Sequence, residues 1–257
     1  MGLAIANVLH GAGYLVYGTS RKVAGAHSPH GAFEMIKMDV DHDASVAAAI
    51  GALIDGEGRL DIVVSNAGMG FGGALEDTSS DEAFAQFQTN FFGNHRVCRV
   101  ALPHLRVRER AHIVVVGSIA GLIAVPFQGM YSAAKFALEG YCEALRMELR
   151  RSTVRVAIVQ PGDFATGFTA ARQLTAESGE NSSYRANFEA ALAVIEKDEK
   201  DGADPVLVGR TVRQIIEADR PALRHLVGPF LQTAVARAKP FLPGTTFEAL
   251  IADHYKC

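Results

Sequence analysis

Three side chains stand at a spacing suited to moving a proton to and from a carbinol oxygen: Ser118, Tyr131 and Lys135. Tyr131 and Lys135 are four residues apart, which on a helix places them on one face, a turn apart. A free tyrosine ionises near pH ~10, too high for easy exchange at neutral pH. An ammonium one turn away stabilises the phenolate and lowers that value. The phenol can then exchange a proton with a carbinol oxygen that a serine hydroxyl holds in place. A surface Y-x-x-x-K is common by chance. A serine thirteen residues upstream, at the end of an apolar strand run, makes chance a poor account.

These residues must be positioned by a sheet. Short apolar runs rich in β-branched residues occur at Tyr14–Gly18, Phe33–Met38, Asp61–Ser65, His112–Gly117, Val154–Gln160 and Arg224–Val227. Between them lie stretches of helical pattern at Asp43–Leu53, Ser80–Val107, Met130–Arg150 and Asp204–Ala218. Near-continuous Val/Ile runs separated by helices predict parallel strands buried on both faces. The expected fold is therefore a doubly wound parallel α/β sheet, a Rossmann-like three-layer α/β/α sandwich, in a single domain over 1–257. Ligands in such sheets bind beyond the carboxyl ends of the strands, which is where Ser118 lies. The polar segment 164–200, with a helical piece near Ala186–Lys197, reads as a substrate flap.

Composition excludes several other functions. The 257 residues are 49% apolar and 21% charged, with a net charge of −3, which gives no electrostatic reason to expect nucleic acid. Cys98, Cys142 and Cys257 lack metal or redox spacing, so reduced thiols and a cytoplasmic location are expected. The apolar run from Ile113 to Phe127 is shorter than the roughly 20 residues of a spanning helix. No Lys or Arg precedes Arg21, so a signal peptide's positive n-region is absent. Asp39, Asp41 and Asp43 imitate the start of a calcium loop, but Ala44 and Ile50 stand where Gly and Glu are needed. His27 and His30 read as solvent-facing, and no metal site is expected. The G-x-G-x-x-G at Gly68, Gly70 and Gly73 reads as a decoy, because no helical pattern opens until about Ser80.

Taken with Ser118, Tyr131 and Lys135, further segments in order and spacing make the chain resemble the short-chain dehydrogenase/reductase family over essentially its whole length. Ser65-Asn66-Ala67-Gly68 is similar to the family's N-N-A-G turn, with Ser replacing the first Asn. Asn90 matches the helix asparagine that holds a relay water. Pro161-Gly162 followed by Thr166 resembles the P-G-x-x-x-T segment that grips the nicotinamide carboxamide. The stretch Tyr131–Gly140 is similar to the branch of 17β-hydroxysteroid and retinol dehydrogenases. The resemblance implies hydride transfer between a nicotinamide and a carbinol carbon, with Tyr131 as acid/base. Lys135 would lower its pKa and bind the nicotinamide ribose, and Asn90 would relay protons. It also implies cofactor contacts at Asn66, Ala67, Gly68, Pro161, Gly162, Phe164 and Thr166, and at the adenine-binding pair Asp39-Val40. A homodimer or homotetramer built on the helices Ser80–Val107 and Met130–Arg150 follows from the resemblance alone.

Charge distinguishes the cofactor. NAD enzymes place an acidic residue after the second strand to accept from the ribose 2′-OH. Here that turn reads Gly18-Thr19-Ser20-Arg21-Lys22. Two cations and a hydroxyl suit a 2′-phosphate, so NADPH is expected over NADH. Phe127, Phe164 and Phe168, together with the flap, suggest a hydrophobic alcohol or ketone as substrate.

The amino end is the exception to the pattern. The sequence opens inside what reads as the first helix, with Gly2 all that matches the glycine-rich turn, and the first strand is expected to be missing. One reading is a start recorded some 10–20 residues late, by the usual length of a strand and turn. The alternative is a non-catalytic or truncated member acting as a binding or regulatory module. Cofactor-free chemistry, as in the related halohydrin dehalogenases, is disfavoured by Lys135, where those proteins carry arginine.

Overall fold

The computed structural model describes residues 1–23 and 33–257. The His27/His30 pair lies outside the described residues. Parallel strands form the frame. β3 (Ile62–Ser65), β5 (Ala111–Val116), β6 (Val154–Pro161) and β8 (Arg224–Val227) make one ladder in the order β3-β5-β6-β8. β1 (Tyr17–Ser20) and β2 (Glu34–Lys37) pair separately. Among the described residues, β1 and β3 are each paired on one side only.

The central strands β5 and β6 are mostly apolar because both faces are covered. On one face Val114, Val116, Ala157 and Val159 pack with Ile5 and Leu9 of α1 (Gly2–Gly11) and with Val208, Val212 and Ile215 of α8 (Val206–Glu217). On the other, Ile113, Val115, Val156 and Ile158 meet three helices. These are α2 (Asp43–Glu57), α4 (Gly93–Arg106) and α5 (Gly129–Glu148), which contribute residues such as Val46, Leu105 and Leu138. Alternate residues thus serve opposite layers, as the period of a strand requires. The two helices α1 and α8 approach closely at Gly209, where a Cβ would lie 2.8 Å from Val8 and 3.0 Å from the Ala4 carbonyl.

The structure corrects the sequence reading in three places. The first strand begins at Tyr17 rather than Tyr14, since Gly13, with φ of 89°, ends the turn from α1. The expected continuous helix Ser80–Val107 is three pieces: α3 (Ser80–Phe87), a π-turn over Gln88–Phe92, and α4. A π-turn adds a residue to one turn and changes which side chains face inward, and such turns gather at functional sites. Third, the carboxyl end carries two helices that the pattern did not predict, α9 (Phe230–Ala238) and α10 (Gly244–His254).

The segment read as a flap is tied to the body. It holds α6 (Phe168–Ala171), β7 (Gln173–Leu174) and α7 (Arg185–Lys200). β7 pairs with β4 (Phe71–Gly72), so the decoy glycines have a structural use. A Cβ on Gly73 would fall 1.9 Å from Thr175 Oγ1 and 2.6 Å from Ser178 Oγ. Asp77 accepts hydrogen bonds from Ser178 and Ser182 at 3.0 and 2.6 Å.

These contacts separate two glycines by urea unfolding. Gly73→Ala should cost about 1–3 kcal/mol, because the buried Thr175 and Ser178 side chains must move. Gly51→Ala, in α2 with open space around it, should be neutral or stabilising by up to about 1 kcal/mol. Equal effects would contradict the packing described.

Candidate active site

Ser118 follows β5 in extended conformation and caps a 3-10 turn over Ile119–Gly121. Its hydroxyl accepts from Ala120 N at 3.0 Å and donates to the Pro161 carbonyl at 3.5 Å. The chain then turns through Phe127, whose φ of 58° is rare for a bulky residue. Its carbonyl accepts from Gly73 N at 2.9 Å and its ring packs on Phe188, so surrounding structure holds the strain. Helix α5 starts directly after, bringing Tyr131 and Lys135 to the same end of the sheet as Ser118. Gly121 lets the turn sit on α5, since a Cβ would lie 2.9 Å from the Lys135 carbonyl.

Lys135 is buried, and its ammonium donates to the Val116 carbonyl at 3.0 Å. The same nitrogen lies 5.6 Å from the centre of the Tyr131 ring. Burial lowers the lysine to about 8. Burial likewise pushes the Tyr131 phenol up to about 12; the Ser118 hydroxyl and Arg172 pull it down, while Glu199 and Asp163 raise it further. The expected lowering by Lys135 is therefore not the ruling effect here. Tyr131 is thus a neutral phenol at pH 7, as a free tyrosine also is, and desolvation extends that range upward; the neutral form is the one that can give a proton.

A cavity of about 720 Å³ opens at this end of the sheet, a size suited to a small organic molecule. It brings together Ser118, Tyr131, Lys135, Asn66, Gly68, Pro161, Gly162, Phe164 and Thr166. Phe168 also lines it, with its ring 5.5 Å from that of Tyr131. Phe164 is shared with the core, and Phe127 supports the turn rather than the cavity wall.

Other expected residues lie outside the cavity lining. Asn90 is buried in the π-turn; its amide accepts from Met69 N at 2.8 Å and donates to Met69 O at 2.9 Å. It thereby fixes the loop after β3, on which Ala67 and Gly68 sit. Gly2 opens α1 beside Asn66, where a Cβ would come within 2.8 Å of the amide. Ser20 closes the turn after β1 by accepting from Lys22 N at 3.2 Å, and Arg21 and Lys22 are exposed. Asp39 takes part in a polar connection, accepting from Asp41 N at 3.1 Å. Val40 is a core residue packed against Gly93. Among the described residues no group of three or more His, Cys, Asp or Glu is placed to hold a metal.

Sequence reasoning missed the far wall. Leu231, Gln232 and Val235 of α9 and Leu250, Ile251 and His254 of α10 line the cavity. Their i, i+3 and i, i+4 spacings were the available signal. Asp163 was also missed; burial raises it to about 6, opposed by the Gln232 amide that donates to it at 2.5 Å.

A family model described as short chain dehydrogenase matches residues 1–177. The chain belongs to the short-chain dehydrogenase/reductase family. It is 39% identical over 254 residues to a 3-ketodihydrosphingosine reductase of Bacteroides thetaiotaomicron, covering 99% of this chain and 93% of that protein. It is 37% identical over 140 residues to human 17-beta-hydroxysteroid dehydrogenase type 1, covering 54% of this chain and 42% of that protein. A short-chain dehydrogenase from Streptomyces avermitilis superimposes with a TM-score of 0.83 at 25% identity, covering 99% of this chain and 92% of that one. The family consists of oxidoreductases acting between CH–OH and C=O groups with a nicotinamide dinucleotide. The residues around Ser118, Tyr131 and Lys135 fit the nicotinamide end of such a molecule: a cavity of sufficient size, with hydroxyl, phenol and ammonium converging on it. No helix among the described residues is long and apolar enough to cross a membrane.

The buried lysine makes stability depend on pH in a defined sense. With its pKa depressed to about 8, the fold pays a charge-burial penalty in full below pH 8, and loses it as pH rises to the unfolded value near 10.4. Lys135→Met should therefore be more stable than the parent at pH 7 by roughly 2 kcal/mol, after allowing for the lost hydrogen bond. That gap should close between about pH 8 and 10.5 in urea titrations. A gap independent of pH would mean that Lys135 carries no such penalty.

Proposed function

We propose that this protein is an NADP(H)-dependent reductase of hydrophobic ketones, interconverting a secondary alcohol and its ketone with Tyr131 as acid/base. The observation that carries this reading is the convergence of Ser118, Tyr131 and Lys135 on one largely apolar cavity. The bound cofactor supplies a hydride to the carbonyl carbon. Ser118 holds the carbonyl oxygen, and Tyr131 donates the proton that the developing alkoxide requires. Lys135 favours the phenolate that remains, and the Val116 carbonyl fixes the ammonium in place for this. Asn66, Gly68, Pro161, Gly162 and Thr166 would hold the cofactor's nicotinamide end, and Asn90 would keep that loop in shape.

Preference for NADPH rests on Ser20, Arg21 and Lys22 at the end of β1, where a hydroxyl and two exposed cations meet no carboxylate in the turn. The 39% identity to a 3-ketodihydrosphingosine reductase supports a long-chain ketone as substrate and reduction as the direction. The Phe168, Ile119 and Leu231 side chains give the cavity walls suited to an alkyl chain. The family's helix pairing supports a homodimer or homotetramer, and three cysteines without metal or redox spacing agree with a cytoplasmic location.

Two substitutions test the assignment. Tyr131→Phe should lower kcat at least about 100-fold, the usual scale for a positioned proton donor, with the thermal midpoint nearly unchanged. Near-full activity would remove Tyr131 from the chemistry. Arg21→Ala should weaken NADPH binding about tenfold or more by nicotinamide fluorescence and leave NADH binding almost unaltered. Equal losses would overturn the phosphate reading.

A further inference from the structure

Helix α6 has four residues, too few to hold a helical shape unaided. Yet its first residue, Phe168, forms a wall against the Tyr131 ring. Its packing is tight: a Cβ on Gly70 would lie 2.8 Å from Phe168 Cζ, and the Arg172 guanidinium sits 5.8 Å from its ring centre.

What holds this short helix is a carboxylate at the far end of α7. Glu199 accepts from Thr169 Oγ1 at 2.5 Å and from Arg172 Nη2. The two members of the ion pair have side chains only 2% and 10% exposed, and Arg172 Nη1 is buried without a partner. One oxygen of the carboxylate thus anchors the first turn of α6 and the other anchors the residue just past its end. Glu199 also lines the cavity.

We propose that Glu199 is a positioning residue for the reaction: clamped by Arg172 and Thr169, it seats Phe168 against the Tyr131 ring and so orients the phenol over the cavity. The proposal rests on the reading of Tyr131 as proton donor. The charges facing Tyr131 are then Glu199 and Asp163, opposed by Arg172 and, from its own helix, Lys135. Removing either member of the clamp should move the phenol in opposite senses. Loss of the carboxylate leaves the guanidinium to favour the phenolate, whereas loss of the guanidinium leaves the carboxylate to oppose it.

The test compares Glu199→Gln, Arg172→Met and the milder Thr169→Val in the full-length protein. Reduction of a long-chain ketone by NADPH should lose about tenfold in kcat in Glu199→Gln, as expected for a misplaced catalytic group, with KM for NADPH unchanged. Thr169→Val should lose less, and Glu199→Asp should recover part of the rate. The pH profile should shift down in Glu199→Gln and up in Arg172→Met; a shift in the same sense for both would mark general structural damage and overturn the proposal. Amide exchange at residues 168–171 gives a reading that needs no activity. It should rise at least about tenfold in Glu199→Gln while exchange in β6 stays as in the parent. Unchanged exchange in Glu199→Gln and Thr169→Val would overturn the clamp, whereas a parent protein inactive with every ketone would overturn the proposed function and leave the exchange result to decide the clamp.

Discussion

A lysine ammonium inside a helix–sheet interface has to be held, and the arrangement that holds Lys135 organises the active end of the molecule. Its hydrogen bond to the Val116 carbonyl ties α5 to the last residue of β5. The charge keeps one direct protein partner in apolar surroundings, and burial drives its pKa well below the ordinary lysine value. A charge left so poorly compensated is costly to stability. The surroundings conform to it: Gly121 is small so that the 3-10 turn can rest on α5, and Ser118 sits where that turn begins. The phenol one turn away shares the same dry surroundings, and burial pushes its pKa up.

Two supports act at a distance from the reacting atoms. Asn90 uses both ends of its amide on the Met69 backbone, and the π-turn that carries it is what turns that amide toward the loop. Glu199 does comparable work on the opposite side through α6. Both are buried polar groups that hold short or irregular segments, Asn90 the loop at Met69 and Glu199 the four-residue α6 with the residue after it. Such segments follow the carboxyl ends of the strands and would otherwise take many conformations.

Much of the fold was legible in the sequence. The runs ending at Ser65, Gly117 and Gln160 are apolar through their middles because helices cover both faces, and the strands are found there. Tyr131 and Lys135 were legible because their spacing has one meaning on a helix. Other features left no periodic trace. The π-turn at Gln88–Phe92 interrupts a helix pattern by a single residue, and the left-handed Phe127 is imposed by Gly73 and Phe188 from distant parts of the chain. Asp163 stands in no motif and carries no periodic signal, and only the fold places Gln232 of α9 against it. The glycines 68, 70 and 73 resembled a nucleotide-binding turn, but Gly70 packs against Phe168 and Gly73 against Thr175 and Ser178, while Gly68 lines the cavity. In each case a tertiary contact, rather than local propensity, selects the conformation.

The most direct test of the central claim is transfer of label from cofactor to product. The protein would be incubated with NADPH deuterated at C4 on either face and a long-chain ketone, and the alcohol examined by mass spectrometry. The account predicts deuterium at the carbinol carbon from one face only, since a fixed cavity wall presents a single face of the nicotinamide to the substrate. Alcohol formed without label from either cofactor, or with label from both faces equally, would contradict it.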